Sequence, residues 1–100
     1  MFRGTTPTLI FNFGINLEEV NITAFYITFS QRNKTLVEKA LSDVTISENK
    51  VTVKLDQTDT LAMSADTALN IQIRLKIDNE AYATNMITTN LNDILKDGEI

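Results

Sequence analysis

The sequence predicts an all-β fold: a Greek-key β-sandwich of about seven short strands, with one helical turn between strands five and six. Thr, Ile and Val make up 30 of the 100 residues, and branching at Cβ favours a pleated sheet over a helix. Apolar and polar residues alternate in several segments, which is the period of a strand with one buried face. Turn residues separate these segments, as consecutive hairpins require.

The first half of the chain contains two clear strand patterns. Leu9 to Phe13 alternates, and Pro7 before it suits a first or edge strand because proline has no ladder donor. Ile22 to Ser30 is rich in aromatic residues. An alternating interpretation directs Phe25, Ile27 and Phe29 to one face, so this segment is predicted to be a central strand.

The middle of the chain is less uniform. Thr35 to Leu41 fits a helical stripe as well as a strand, and we assign it as a strand because it follows the turn Gln31 to Lys34. Val44 to Ile46 and Lys50 to Leu55 both alternate, and the turn residues between them are typical of a hairpin.

The clearest alternation in the chain runs from Leu69 to Asp78, where every odd position is aliphatic. A turn at Asp78 to Glu80 leads into Ala81 to Asn90. Partway along this segment the apolar residues switch between even and odd positions in the sequence. A strand that keeps one buried face through such a change needs an extra residue, so we predict a β-bulge.

Two segments have helical features. In Asp56 to Met63, Asp56 or Thr58 can act as the N-cap and the first turn is acidic, which predicts a helix of one or two turns. The tail from Leu91 to Ile100 predicts another short turn, ended by Gly98.

These elements predict a single domain over residues 1–100. A small closed barrel would fit the same alternation, but we favour the sandwich because the chain has only three glycines and barrel corners usually need them. The cysteine pair and buried Trp of antibody domains are absent, so any immunoglobulin-like (Ig-like) relationship concerns shape.

Composition also limits the chemistry. The chain has no Cys and no His, which excludes disulfides, a Cys/His metal site and a His-activated nucleophile. We therefore expect no enzyme activity, no catalytic residues and no cofactor. The net charge of −4 disfavours nucleic acid as a partner, and no apolar run is long enough for a signal peptide or a membrane span. We expect synthesis in the bacterial cytoplasm and no membrane partner.

Carboxylates are the remaining side chains that could bind a metal ion or catalyse a reaction. Asp56, Asp59 and Asp66 could supply oxygen ligands to Ca²⁺. Acidic residues at a helix start are more simply explained by their interaction with free backbone N–H groups, so we assign no metal site.

Three segments carry a resemblance to a known family: Arg3 to Thr8, Gln57 to Leu61 and Asp93 to Ile100. Together they resemble small prophage and phage-like proteins of Gram-positive bacteria, similar in style to the Ig-like N-terminal domain of phage baseplate upper proteins. The resemblance implies an Ig-like sandwich that serves as a structural or adaptor piece of a tail or baseplate and is incorporated into a phage particle.

Side chains that point away from the core could form an interaction surface. The parity change in Ala81 to Asn90 predicts that Tyr82 or Met86 lies outside, where Tyr and Met favour protein contacts; the alternative is that the bulge buries both. With Tyr26 they form our candidate interaction surface. We predict a non-enzymatic structural or adaptor domain whose partners are phage structural proteins or a second copy of itself. The alternative is a small module that binds carbohydrate or a ligand through Ca²⁺.

Overall fold

The computed structural model describes all residues from Met1 to Ile100 and contains eight strands in two antiparallel sheets. In chain order the strands are β1 (Thr8–Asn12), β2 (Ile22–Gln31), β3 (Lys34–Ala40), β4 (Val44–Ser47), β5 (Lys50–Lys54), β6 (Ala68–Ile77), β7 (Glu80–Ala83) and β8 (Ile87–Asn90). One short helix, α1 (Gln57–Leu61), lies between β5 and β6.

The strand order is that of an Ig-like sandwich. One sheet has the order β1-β5-β4, and the other has β3-β2-β6 followed by β7 and β8, which both pair with β6. These orders match strands B-E-D and C′-C-F-G of an immunoglobulin domain. The predicted all-β sandwich, with its helical turn between the fifth and sixth strands, is therefore confirmed.

The core lies between the inner faces of the two sheets, as alternation predicts. Phe25, Ile27 and Phe29 of β2 are at most 1% exposed. In β6 the odd-numbered residues from Leu69 to Leu75 are buried, and in β5 Val51 and Val53 are. Fourteen buried residues form one hydrophobic cluster, so a single core holds both sheets together.

The last strand is interrupted where its parity changes. In β7, Tyr82 lies opposite Leu75 of β6, whereas in β8 Ile87 lies opposite Ile71. Three residues, Thr84 to Met86, therefore lie across from only two residues of β6. This strand has one extra residue, as in a β-bulge. The predicted bulge is present, and it divides the predicted seventh strand into β7 and β8.

Other details differ from the sequence predictions. The tail is not helical, although Gly98 does have a positive φ of 85°. Hydrogen bonds with Gln57 instead hold Ile100 at the start of α1. Two 3-10 turns, Leu17–Glu19 and Leu41–Asp43, have no counterpart among the predictions. None of the helices has the length and apolar character that crossing a bilayer requires.

One buried polar side chain fastens the loop that follows α1. Gln31, at the end of β2, is 4% exposed. Its Nε2 donates to the carbonyl oxygens of Ser64 at 2.9 Å and Thr67 at 3.2 Å, and its Oε1 accepts from the Ser64 N–H at 2.8 Å. The loop from α1 to β6 is therefore tied to the end of the central strand.

Replacing this side chain should destabilise the fold. In Gln31→Ala the backbone groups of Ser64 and Thr67 lose their partner, and we expect the free energy of unfolding to fall by about 1–3 kcal/mol. Urea denaturation measures the change. Asn12→Ala is the control, because the Asn12 side chain is exposed at the end of β1 and its loss should cost under about 0.5 kcal/mol. Equal costs for the two variants would contradict the assigned role.

Candidate functional site: a groove between two edge strands

One side of the sandwich is open between two edge strands. β1 pairs only with β5 in its sheet, and β7 and β8 pair only with β6 in theirs. Between these two edges lie three adjoining cavities of about 610, 400 and 470 Å³. We call them together the edge groove. Its apolar lining consists mainly of Leu9, Ile10, Phe11, Phe13, Ile71, Ile73, Leu75, Ile77, Tyr82 and Ile87.

The three cavities form one continuous depression. The first and second share Ile10, Phe11 and Ile87, and the second and third share Phe13 and Thr84. The depression therefore follows the β7–β8 edge from Tyr82 to Thr89. A site of this shape suits an elongated occupant better than a compact one.

No charged side chain lines the edge groove. The chain is uncharged from Thr5 to Leu17 on the β1 side and from Ala81 to Asn92 on the β7–β8 side. The opposite side of the sandwich differs, because its edge strand β3 contains Lys34, Glu38 and Lys39. Charged side chains on an edge discourage pairing with other strands, so β3 has a protection that the groove-lining residues lack.

Exposed apolar side chains concentrate at the same place. Ten large hydrophobic residues are exposed, and five of them line the edge groove: Phe2, Ile10, Ile15, Tyr82 and Ile87. A sixth, Met86, lies in the break between β7 and β8. Clustered exposure of large apolar side chains is characteristic of a contact site.

The bulge gives the groove wall its shape. Thr84 follows β6 closely: its N–H donates to the Ile73 carbonyl at 2.9 Å, and its Oγ1 accepts from the Ile73 N–H at 3.1 Å. Gln72 donates from Nε2 to the Thr84 carbonyl at 3.0 Å. After this irregular turn, Ile87 faces the same side as Ile71 and lines the groove. The bulge thus aims Ile87 into the groove.

The first residues of the chain occupy one end of this edge. The Met1 ammonium donates to the Asn90 carbonyl, the Asn92 N–H donates to the Met1 carbonyl, and the Arg3 N–H donates to the Asn92 carbonyl. The bridge between Phe2 and Asn92 is parallel. This corresponds to the parallel pairing of a first strand with the last, but it extends over only three residues.

The three segments that carried the resemblance meet at this end of the molecule. Arg3 donates to the carbonyl oxygens of Leu61 and Met63 and lies 3.2 Å from Asp93. A Cβ on Gly4 would come within 2.7 Å of Ile94, and Gly4 has a positive φ, so glycine suits this turn. These contacts hold the first turn, α1 and the tail together.

Of the three candidate calcium ligands Asp56, Asp59 and Asp66, it is Asp59 whose carboxylate has other partners. Asp56 is the N-cap of α1, and its N–H donates to Asp59 Oδ2 at 2.9 Å. The same oxygen of Asp59 is 2.9 Å from Lys39 Nζ. This contact also places Lys39 in an ion pair between β3 and α1.

The predicted interaction residues lie on two different surfaces. Tyr82 lines the edge groove, and Met86 is at the break beside it; they are 52% and 58% exposed. Tyr26 is 47% exposed, but it lies opposite Arg74 and belongs to the outer face of the same sheet. The structure therefore brings Tyr82 and Met86 to one edge and places Tyr26 elsewhere.

Comparison with protein-family models, with curated proteins and with solved structures finds no match for this chain. An uncharged groove with unpaired strand edges can bind an apolar chain segment through side-chain burial and backbone hydrogen bonds. Our sequence predictions missed the groove residues Ile10 and Ile87, although the two long uncharged runs were a visible signal.

The register of β8 should depend on the extra residue in the bulge. Deleting Asn85 removes that residue, so Ile87 and the buried Leu91 would turn outward. We expect the free energy of unfolding to fall by at least about 3 kcal/mol, measured by urea denaturation. The matched variant Asn85→Ala keeps the chain length and should cost under about 0.5 kcal/mol. If the deletion were as mild as the substitution, the bulge would not determine the register.

Proposed function

We propose that this chain is a non-enzymatic structural or adaptor domain that works by binding another protein in the edge groove. The observation that supports the proposal is that two strand edges without an outer partner border a groove lined by uncharged side chains, among them five of the ten exposed large apolar residues. Burial of apolar side chains drives protein association, and a free strand edge adds backbone hydrogen bonds.

The assembly we propose is of the phage tail or baseplate type. This context is supported by the resemblance of the segments around Arg3, Gln57 and Asp93, which meet at one end of the sandwich. If this end of the sandwich were attached to an assembly, the groove would be held in a fixed orientation on it. The proposed contact residues are Tyr82 and Met86, and contact through Tyr26 would require a second surface.

Two tyrosines permit a matched test of where the partner binds. Tyr82 and Tyr26 have similar exposure but lie on opposite faces of one sheet. Replacing each by the photo-crosslinking residue p-benzoylphenylalanine in the producing cell should give a discrete adduct only from position 82. The readout is a band of higher mass in a denaturing gel, with its protein identified by mass spectrometry.

The outcome also tests the assembly context. A phage structural protein in the adduct would support a tail or baseplate role, whereas a host enzyme would count against it. Adducts from position 26 alone, or from neither position, would contradict binding in the edge groove. Circular dichroism spectra of both variants check that each is folded.

Calcium should have no effect on stability if the acidic residues near α1 have a structural role. Because Asp59 bonds with Lys39 and with the N-cap N–H, we expect the melting temperature to be the same in millimolar CaCl₂ and in EDTA. Ligand binding to the folded state would raise it by mass action. A rise with CaCl₂ that Asp59→Asn removes would favour the alternative, a calcium-dependent ligand-binding module.

A further inference from the structure

We infer that the edge groove is an acceptor for one extended, uncharged segment of a partner protein, which pairs with the outer edge of β8 in line with Met1–Arg3 and runs parallel to β8. This inference rests on the proposed function and specifies how the partner binds. It depends on the unpaired edge, the direction of the existing pairing, the charge pattern and the length of the groove.

The direction follows from the pairing that already exists. Met1, Phe2 and Arg3 run parallel to the residues after β8, and the ladder stops at Asn90, where the Met1 ammonium donates to the carbonyl. The edge of β8 before Asn90 has no strand on its outer side. A segment that continues the line of Met1–Arg3 along this edge extends the same parallel ladder.

The chemistry of the occupant follows from the absence of charge. No side chain that lines the groove could neutralise an ionised group brought into it, and an unpaired buried charge is costly. The side chains that face the groove are apolar, including Phe11, Ile71 and Ile87. A matching segment therefore has apolar side chains at alternate positions, because successive residues of a strand point to opposite faces.

The length of the occupant follows from the length of the edge. From the start of β7 to the end of β8 the edge covers Glu80 to Asn90. With a rise of about 3.3 Å per residue, an extended segment of about ten residues spans it. A segment of this size has enough apolar side chains to occupy all three cavities in sequence.

A peptide probe tests the inference without knowledge of the natural partner. The probe is a peptide of about ten residues that alternates Val with Thr and has blocked termini; its length matches the groove. The protein is used untagged at its N-terminus, because a tag before Met1 would point along the same edge. We expect one peptide to bind per chain, and we expect amide exchange in Ile87–Asn90 to slow roughly tenfold or more.

One control tests whether the peptide has to be uncharged, and a second tests whether it binds in the edge groove. A peptide with Lys in place of the central Val residues should bind at least roughly tenfold more weakly, because its charges would be buried unpaired. Ile87→Lys and Thr89→Lys, which put a charge in the groove, should abolish binding of the Val/Thr peptide. Leu41→Lys, at an exposed apolar residue that does not line the groove, should retain it. Using two groove variants covers the case in which one fails to fold.

Several results would overturn the inference. These are no protection of Ile87–Asn90 by the Val/Thr peptide, equal affinity for the Lys peptide, or unchanged binding by folded groove variants. Light scattering of the chain alone is the further check: a dimer that already protects β8 and excludes the peptide would make a second copy the occupant. Crosslinking at Tyr82 without any peptide response would leave the proposed function standing and reject strand insertion alone.

Discussion

The antiparallel pairing of β2 with β6 is the interaction on which the rest of the structure depends. These two strands of ten residues align from Ile22 opposite Ile77 to Ser30 opposite Asn70. Their inner side chains, among them Phe25, Ile27 and Phe29, supply the centre of the core. All other strands of the sheet are added at the two sides of this pair. A shift of one residue in its register would turn every inner side chain outward, so the alternation in both strands determines the fold.

A long central strand imposes a condition on its neighbour. The segment that follows β6 and pairs with it has to direct apolar side chains inward along its whole length. In a regular strand Tyr82 and Ile87 would point to opposite faces, because one number is even and the other odd, yet both lie opposite inward-facing residues of β6. The bulge at Thr84–Met86 resolves this conflict, since an extra residue reverses which positions face inward. Its consequence is the shape of the edge groove, because Tyr82 and Ile87 can then line the same depression.

Most of the fold could be predicted from the sequence, whereas the site could be predicted only in part. Alternation located the strands because each has one dry face, and the parity change located the bulge. The tail was predicted as a helical turn, but its contacts with Gln57 lie far away in the chain and local propensity does not report them. The grouping of Tyr26 with Tyr82 in one candidate surface also rested on local pattern alone. Their positions on opposite faces follow from the pairing register of three strands, which a pattern within one segment does not contain.

An uncharged edge is usually a hazard, because exposed strands pair with one another and aggregate. Here the same bulge that shapes the groove also limits that risk. It divides the edge into β7 and β8, each of four residues, and short, irregular edges are poor templates for edge-to-edge pairing. A strand that paired with the β7–β8 edge through backbone hydrogen bonds alone would then bind weakly. In the proposed mode of binding, a segment whose side chains also fill the cavities would gain the additional burial of apolar area, so its side chains would decide whether it binds.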